Sequence, residues 1–276
     1  MIDKGDAGTA IEVGGNGTVL AEVRGHTMLI TLNRPEARNA VNFDLSRGVG
    51  EALEFAENTA EVWTVIITGT GDRAFCAGAD LKAAAAGELQ KPDKQLRRWG
   101  FAGYVQHAIS KPTIAAVNGF ALGGGTEIVL ASDLVVAAES ASFGLPEVKR
   151  GIFAGAGGAF RLHRQIPVKI ATEAMLTGRP ISADRALQLG LVNAVVPTAK
   201  VVEAAFELAE AINENAPLAV QATKRIARGI TDGHIDAEDQ DWARSADEGR
   251  RLMASEDAKE GMRAFAEKRV HHWVGR

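Results

Sequence analysis

Cysteine is all but missing from the sequence: Cys76 stands alone among 276 residues. A lone thiol excludes an intrachain disulfide framework and fits a reducing compartment. Aromatic residues are scarce as well, with ten Phe, four Trp and one Tyr, so tight backbone turns are favoured over aromatic stacking platforms. No eighteen apolar residues run together, and no transmembrane helix is expected. Positive charge is not in excess: 31 Lys and Arg against 35 Asp and Glu leave a net charge of −4. That balance argues against nucleic acid as a partner, although a local basic spot for a small phosphorylated ligand stays open. The first seventeen residues have no apolar segment of a signal peptide. They carry three acidic groups against one lysine, which is wrong for a mitochondrial transit peptide. The expectation is a cytoplasmic protein with no membrane partner and a flexible N-terminal arm over residues 1–17.

Several catalytic signatures are absent too. There is no G-x-x-x-x-G-K-[ST] phosphate loop, and Gly155-Ala156-Gly157-Gly158-Ala159-Phe160 places Phe where a dinucleotide fingerprint ends in glycine. The six histidines form no H-E-x-x-H, no G-x-S-x-G elbow occurs, and Cys76 has no sequence-identifiable histidine partner. Adjacent His271 and His272 are poor ligand geometry by themselves, so no metal site is expected. Cys76 reads as a small buried residue.

What the chain does have is glycine, thirty of them, together with 46% hydrophobic and 24% charged residues. This is a globular composition long enough to bury a substantial core. TVLAEV and TMLITL, joined by Arg24-Gly25-His26, predict two strands and a tight turn. A helix follows, capped by Asp44 and turning Leu45, Val49, Leu53 and Ala56 inward. The runs at 62–69, 112–119 and 133–138 are apolar on both faces and alternate with helical segments, which predicts buried parallel strands. The first two share a plan of strand, glycine loop and helix. Beyond residue 159 strand signals nearly vanish, and ISADRALQLG reads as a capped short helix ending at Gly190. An α/β core over 18–200 and a helical C-terminal region over 201–276 are expected.

The stretch GFALGGGTE, 119–127, puts three glycines directly ahead of a helix. Close helix–strand packing explains any single glycine but rarely needs all three. A helix N-terminus offers unpaired N–H groups and partial positive charge. AFCAGADLK, 74–82, makes a similar turn after a strand. Two such turns aiming one N–H each at a single oxygen would form an oxyanion hole.

Taken together, LNRPEARNAV (32–41), FCAGADLK (75–82), KPTIAAVNGFALGGGTEIVLASD (111–133), FGLPEVKRGI (143–152), GAGGAFRL (155–162) and EDAKEGMRAFAEKR (256–269) resemble the enoyl-CoA hydratase/isomerase family, the crotonase superfamily. The resemblance covers nearly the whole chain beyond the arm. It implies an α/β fold, a spiral of ββα units with a helical C-terminal region that covers the active site and carries oligomerisation as a homotrimer or dimer of trimers.

For the site, the resemblance implies that the N–H groups of Ala79 and Gly124 hold the thioester oxygen of an acyl-CoA. Glu127 then orients water, Glu147 transfers the proton, and a loop amide at Gly155 helps hold the water and the second glutamate. Coenzyme A would lie along Arg34, Ala37, Arg38, Asn39 and Ala40 and along Ala79, Asp80, Leu81 and Lys82, with Phe265 and Lys268 on the closing C-terminal helix. Lys82 fits a phosphate contact and a solvated helix lysine equally well. Arg38, Arg97-Arg98 and Lys149-Arg150 read as solvated charge. Coenzyme A is part of the substrate, so no separate cofactor is expected. Phe153-Ala154 and Ala159 depart from the family pattern beside the acyl pocket, and VHHWVGR departs at the tail.

The two glutamates favour hydration of a 2-enoyl-CoA, or its reverse. Isomerisation, thioester hydrolysis or decarboxylation on the same fold is the alternative, followed by a non-catalytic acyl-CoA-binding or RNA-binding relative.

Overall fold

The structure is a computed structural model that describes residues 8–80, 83 and 93–276. Leu81 and Lys82, two of the expected coenzyme A contacts, lie outside the described residues.

Strands β1 (Thr9–Ile11), β2 (Val19–Arg24) and β3 (Thr27–Leu32) form an antiparallel edge, with β2 and β3 paired from Arg24–Thr27 back to Val19–Leu32. The turn between them places Gly25 at φ 55°, the left-handed region that glycine reaches without strain. The arm is not loose throughout: β1 pairs with β2, and the Gly14 N–H donates to Glu51 at 2.7 Å. β1 is only three residues long, too short to show a period in the sequence.

Helix α1 (Phe43–Asn58) buries Leu45, Val49, Leu53 and Ala56 as the spacing predicts. Its N-cap is Asn42, whose side-chain oxygen accepts the Leu45 N–H at 3.0 Å. Asp44 instead lies in the first turn, where its charge suits the positive end of the helix.

The three apolar runs become β4 (Thr64–Gly69), β6 (Thr113–Val117) and β8 (Leu134–Ala138), all parallel and almost wholly buried. A second, smaller sheet interleaves with them in sequence through β5 (Ala74–Cys76), β7 (Phe120–Leu122) and β9 (Ser142–Gly144). Each turn of the chain therefore adds one strand to the large sheet, then one to the small sheet, then helix. Helix α2 (Lys94–Trp99) precedes β6, α3 (Gly124–Ala131) follows β7, and α4 (Gly158–Gln165) follows β9. This is the ββα spiral expected from the motifs.

After α5 (Val168–Thr177), strand β10 (Ile181–Ser182) closes the small sheet against β9. Ser182 caps α6 (Ala183–Gln188), and β11 (Ala194–Val196) joins the large sheet parallel to β8. Its order is β1-β2-β3-β4-β6-β8-β11. Strands therefore continue past residue 159. They were hidden because runs of two or three residues are too short to show a period.

The C-terminal region contains α7 (Val201–Asn213), α8 (Pro217–Arg228), a two-strand hairpin of β12 (Ile230–Thr231) and β13 (His234–Ile235), α9 (Asp239–Ala254) and α10 (Glu256–Ala266). Among the described residues no helix is long and apolar enough to cross a membrane. Helix α7 lies across β4, β6 and β8 and ends in a buried polar joint. The Asn213 amide accepts from Thr64 Oγ1 at 2.8 Å and donates to Thr27 Oγ1 at 2.9 Å. Removing it orphans both threonine hydroxyls, at roughly 1–3 kcal/mol for each buried group left unpaired. Asn213→Ala should therefore lower the midpoint of thermal or urea unfolding clearly, while Asn215→Ala, an exposed neighbour, leaves it nearly unchanged.

Candidate active site

Two loops are stitched into one wall. The parallel bridge between Val41 and Ala79 spends the Val41 N–H on Gly78 O at 2.8 Å, and the Asp80 N–H donates to Val41 O at 2.9 Å. The residues flanking Ala79 thus face Val41, and by strand alternation the Ala79 N–H faces the opposite side. A β-carbon on Gly78 would stand 2.9 Å from Leu122 O and 3.1 Å from Gly124 N, so the turn before Ala79 packs against the start of α3. Gly124 is the first residue of α3, whose leading N–H groups have no partner within the helix. The turn that holds Ala79 and the start of α3 at Gly124 are therefore neighbours.

The three glycines each answer a different constraint, more than their spacing suggested. Gly123 sits at φ 56°, and a β-carbon there would lie 3.0 Å from Glu147 Oε1. At Gly124 it would lie 2.2 Å from the Phe101 ring, and at Gly125 2.1 Å from Cys76 O. Packing does need all three here. The last contact also fits the burial of Cys76, which pushes its thiol up to about 12 and leaves it inert as a nucleophile.

Glu127 lies one turn into α3 and is only 3% exposed. Its Oε1 accepts the Gly158 N–H, the first amide of α4, at 2.9 Å. Burial and the nearby Glu147 charge raise its pKa to about 8, against the pull of main-chain hydrogen bonds from Gly158 and Ala156 and of the Arg161 charge. Glu147 occupies the 3-10 turn Pro146–Arg150 that follows β9. Burial raises it to about 7, its own main chain and Arg150 oppose this, and Oε2 is buried with no hydrogen-bond partner among the described residues.

What sets the carboxylates side by side is a knot between α3 and β9. Thr126 Oγ1 donates to Ala121 O at 2.7 Å and accepts the Gly144 N–H at 2.9 Å, while the Gly123 N–H donates to Gly144 O at 2.8 Å. Sequence reading missed Thr126, whose place directly before Glu127 is its only signal. Gly155, expected as a loop amide, is exposed, and the main-chain groups that reach Glu127 are those of Gly158 and Ala156.

Of the residues expected to meet coenzyme A, Arg34 is committed to the wall, pairing with Asp80 at 2.9 Å and donating to Ala40 O. Asn39 is buried at φ 55° and donates to Thr70 O at 3.0 Å and Ala74 O at 2.9 Å. Arg38 is exposed beside Ala37, and a groove of about 350 Å³ opens between Pro35, Arg38, Thr70 and Arg73. Phe265 and Lys268 are exposed on and just after α10. Arg150 is not simply solvated charge: its guanidinium covers the Phe265 ring at 3.6 Å, and Nη1 is buried. Helix α10 is what desolvates it, and nothing in the local sequence announces that contact.

Raised carboxylates also make stability depend on pH. Folding raises Glu127 from the ordinary carboxyl value of 4.5 to about 8, so between those values the folded state holds more protons than the unfolded one. Its contribution is present at low pH and lost as pH rises through about 8. Glu127→Gln, neutral throughout, should unfold at a higher temperature than the parent at pH 9 and lose that advantage at pH 5, as thermal scans at the two values would register.

Residues 22–276 match the family model for enoyl-CoA hydratase/isomerase. A carnitinyl-CoA dehydratase of Salmonella typhi is 45% identical over 255 residues, 91% of this chain and 96% of the relative, and one of Proteus mirabilis is 43% identical over 256, 92% and 97%. The crystal structure of a carnitinyl-CoA hydratase from Mycobacterium avium superposes with a TM-score of 0.91 at 59% identity, covering 94% of this chain and 99% of that one. An enoyl-CoA hydratase from Mycobacterium tuberculosis superposes at 0.72 with 44% identity, covering 94% and 99%. The chain belongs to the enoyl-CoA hydratase/isomerase family, the crotonase superfamily, and is a hydratase-type lyase.

Proposed function

We propose that the chain adds water across the double bond of a 2-enoyl-CoA, or removes it in reverse, with Ala79 and Gly124 as oxyanion donors and Glu127 with Glu147 as the acid/base pair. The observation that carries this reading is the pair of carboxylates, both raised toward neutrality and both fixed beside the glycine turn. Water attacks the β-carbon as a carboxylate takes its proton. The electron pair of the double bond shifts toward the thioester oxygen, where two main-chain N–H groups hold the charge, and a carboxylic acid returns a proton to the α-carbon. Each oxyanion donor is worth roughly 2.7–4 kcal/mol of transition-state stabilisation. Glu127, tethered to the Gly158 amide, orients the water; Glu147, with one oxygen unpartnered, passes the proton.

The coenzyme A arm runs over the wall built from residues 34–41 and 77–80, toward the groove at Arg38 and Arg73. On the acyl side, relatives named carnitinyl-CoA dehydratase or hydratase make a β-hydroxyacyl thioester with a quaternary ammonium a substrate to set against crotonyl-CoA. The exposed apolar side chains Leu218 and Ile226 on α8 suit assembly with further copies of the chain.

Hydration is followed by loss of the conjugated enoyl-thioester absorbance. Glu147→Gln should lower kcat by on the order of 100-fold or more, and wild-type turnover in that variant would refute the assignment. Because the two carboxylates sit near 8 and 7 and sense each other, they titrate as a pair holding about one proton between those limits. The profile of kcat/KM should be bell-shaped with its maximum between pH 7 and 8, and a flat profile from pH 6 to 9 would contradict it.

A further inference from the structure

One buried ion pair lies behind the acid/base pair. Arg161, 4% exposed on α4, donates from Nε to Glu238 Oε1 at 3.0 Å and from Nη2 to Oε2 at 2.6 Å. Trp242 of α9 donates its indole N–H to the same Glu238 Oε2 at 3.2 Å, and its ring meets Phe160 edge-on at 4.9 Å. A β-carbon on Gly157 would come 3.2 Å from Arg161 Nη1 and 3.2 Å from the Trp242 ring. The guanidinium is therefore wedged against the loop that enters α4. Three residues earlier on the helix, Gly158 donates to Glu127.

Burying two charges is costly, and apolar residues of similar volume often serve stability as well or better. Helix α4 is two turns long and, among the described residues, has no side-chain cap at its N-terminus, so the clamp adds to the packing of Gly158 against Ala154 and Leu145 in fixing its first amide. We propose that Arg161, clamped by Glu238 and Trp242, is a positioning residue that aims the α4 amide at Glu127 and so ties the C-terminal region to the acid/base pair. The proposal rests on the assignment of Glu127 under the proposed function.

Charge provides a second handle. The charged groups acting on Glu127 are Glu147 from the 3-10 turn after β9 and Arg161 from α4. His163 and Arg164, in the last turn of α4, are exposed, with Arg164 paired to Asp241 at 2.5 Å. Cys76 and the Phe101–Gly103 turn, which also pack against α3, bring no charge. Arg161 lowers the Glu127 pKa, and the Glu238 carboxylate paired with it offsets only part of that effect. Removing both members of the clamp should raise that pKa, and neutralising Glu238 alone, which leaves the guanidinium uncompensated, should lower it.

The test uses the full chain in three forms: wild type, Arg161→Met/Glu238→Leu and Glu238→Gln. The pH titration of the Gly158 amide resonance in NMR is the readout, with Glu127→Gln as the control in which the step vanishes. The step should move to higher pH in the double variant and to lower pH in Glu238→Gln. In turnover assays the double variant should lose on the order of 10- to 100-fold in kcat with little change in KM. A purely structural role moves neither step in opposite directions. A Gly158 step that stays put in both variants, or a double variant with wild-type kcat, overturns the proposal. If the wild type hydrated no enoyl-CoA, the proposed function would fall while the amide titration still decided the clamp.

Discussion

Everything at the site depends on holding a carboxyl group away from water without letting it wander. Glu127 is enclosed on α3, and its one firm partner among the described residues is the leading amide of another helix. That contact is weak enough to leave the acid raised and directional enough to aim it. A full ion pair at the same position would have pinned the group as a permanent anion. Arg161 stands close enough to temper the charge but spends its hydrogen bonds on Glu238.

The supporting architecture follows from the alternation of two sheets. Each glycine turn leaves the large sheet, crosses the small one and starts a helix, so loops from successive turns meet along one edge. The stitch from Val41 to Ala79 and the knot from Thr126 to Gly144 are neighbouring instances of the same device. One sets the amides and the other the acids. Both use main-chain groups, joined in the knot by the neutral Thr126 hydroxyl, and so fix position without adding a titrating group.

Much of this could be read from residues alone, because it is carried by local pattern. The β-branched runs at 62–69, 112–119 and 133–138 are apolar on both faces and contain the three strands at the parallel centre of the large sheet. The motifs around Ala79, Gly124, Glu127 and Glu147 point to the candidate site. What stayed hidden is contact between distant segments. Arg150 looked like half of a solvated Lys-Arg pair until α10 laid Phe265 beneath it. Arg161 and Glu238 are 77 positions apart, and neither carries a signal of the other. Asn42 took the capping role from Asp44 because the chain entering α1 is extended at residue 42. The strands past 159 were two or three residues long, below any period that a sequence can display.

Helix α10 reaches the Glu147 turn through bare backbone. A β-carbon at Gly261 would lie 2.1 Å from Arg150 O, and one at Gly151 would lie 2.4 Å from Asp257 O. Two main chains here touch as closely as two chains can, with no side chain between them to yield. Neither glycine meets a ligand, yet each tolerates as little change as a reacting group does. The placement of the turn that carries Glu147 therefore depends on a seam of main chain that no titrating side chain enters.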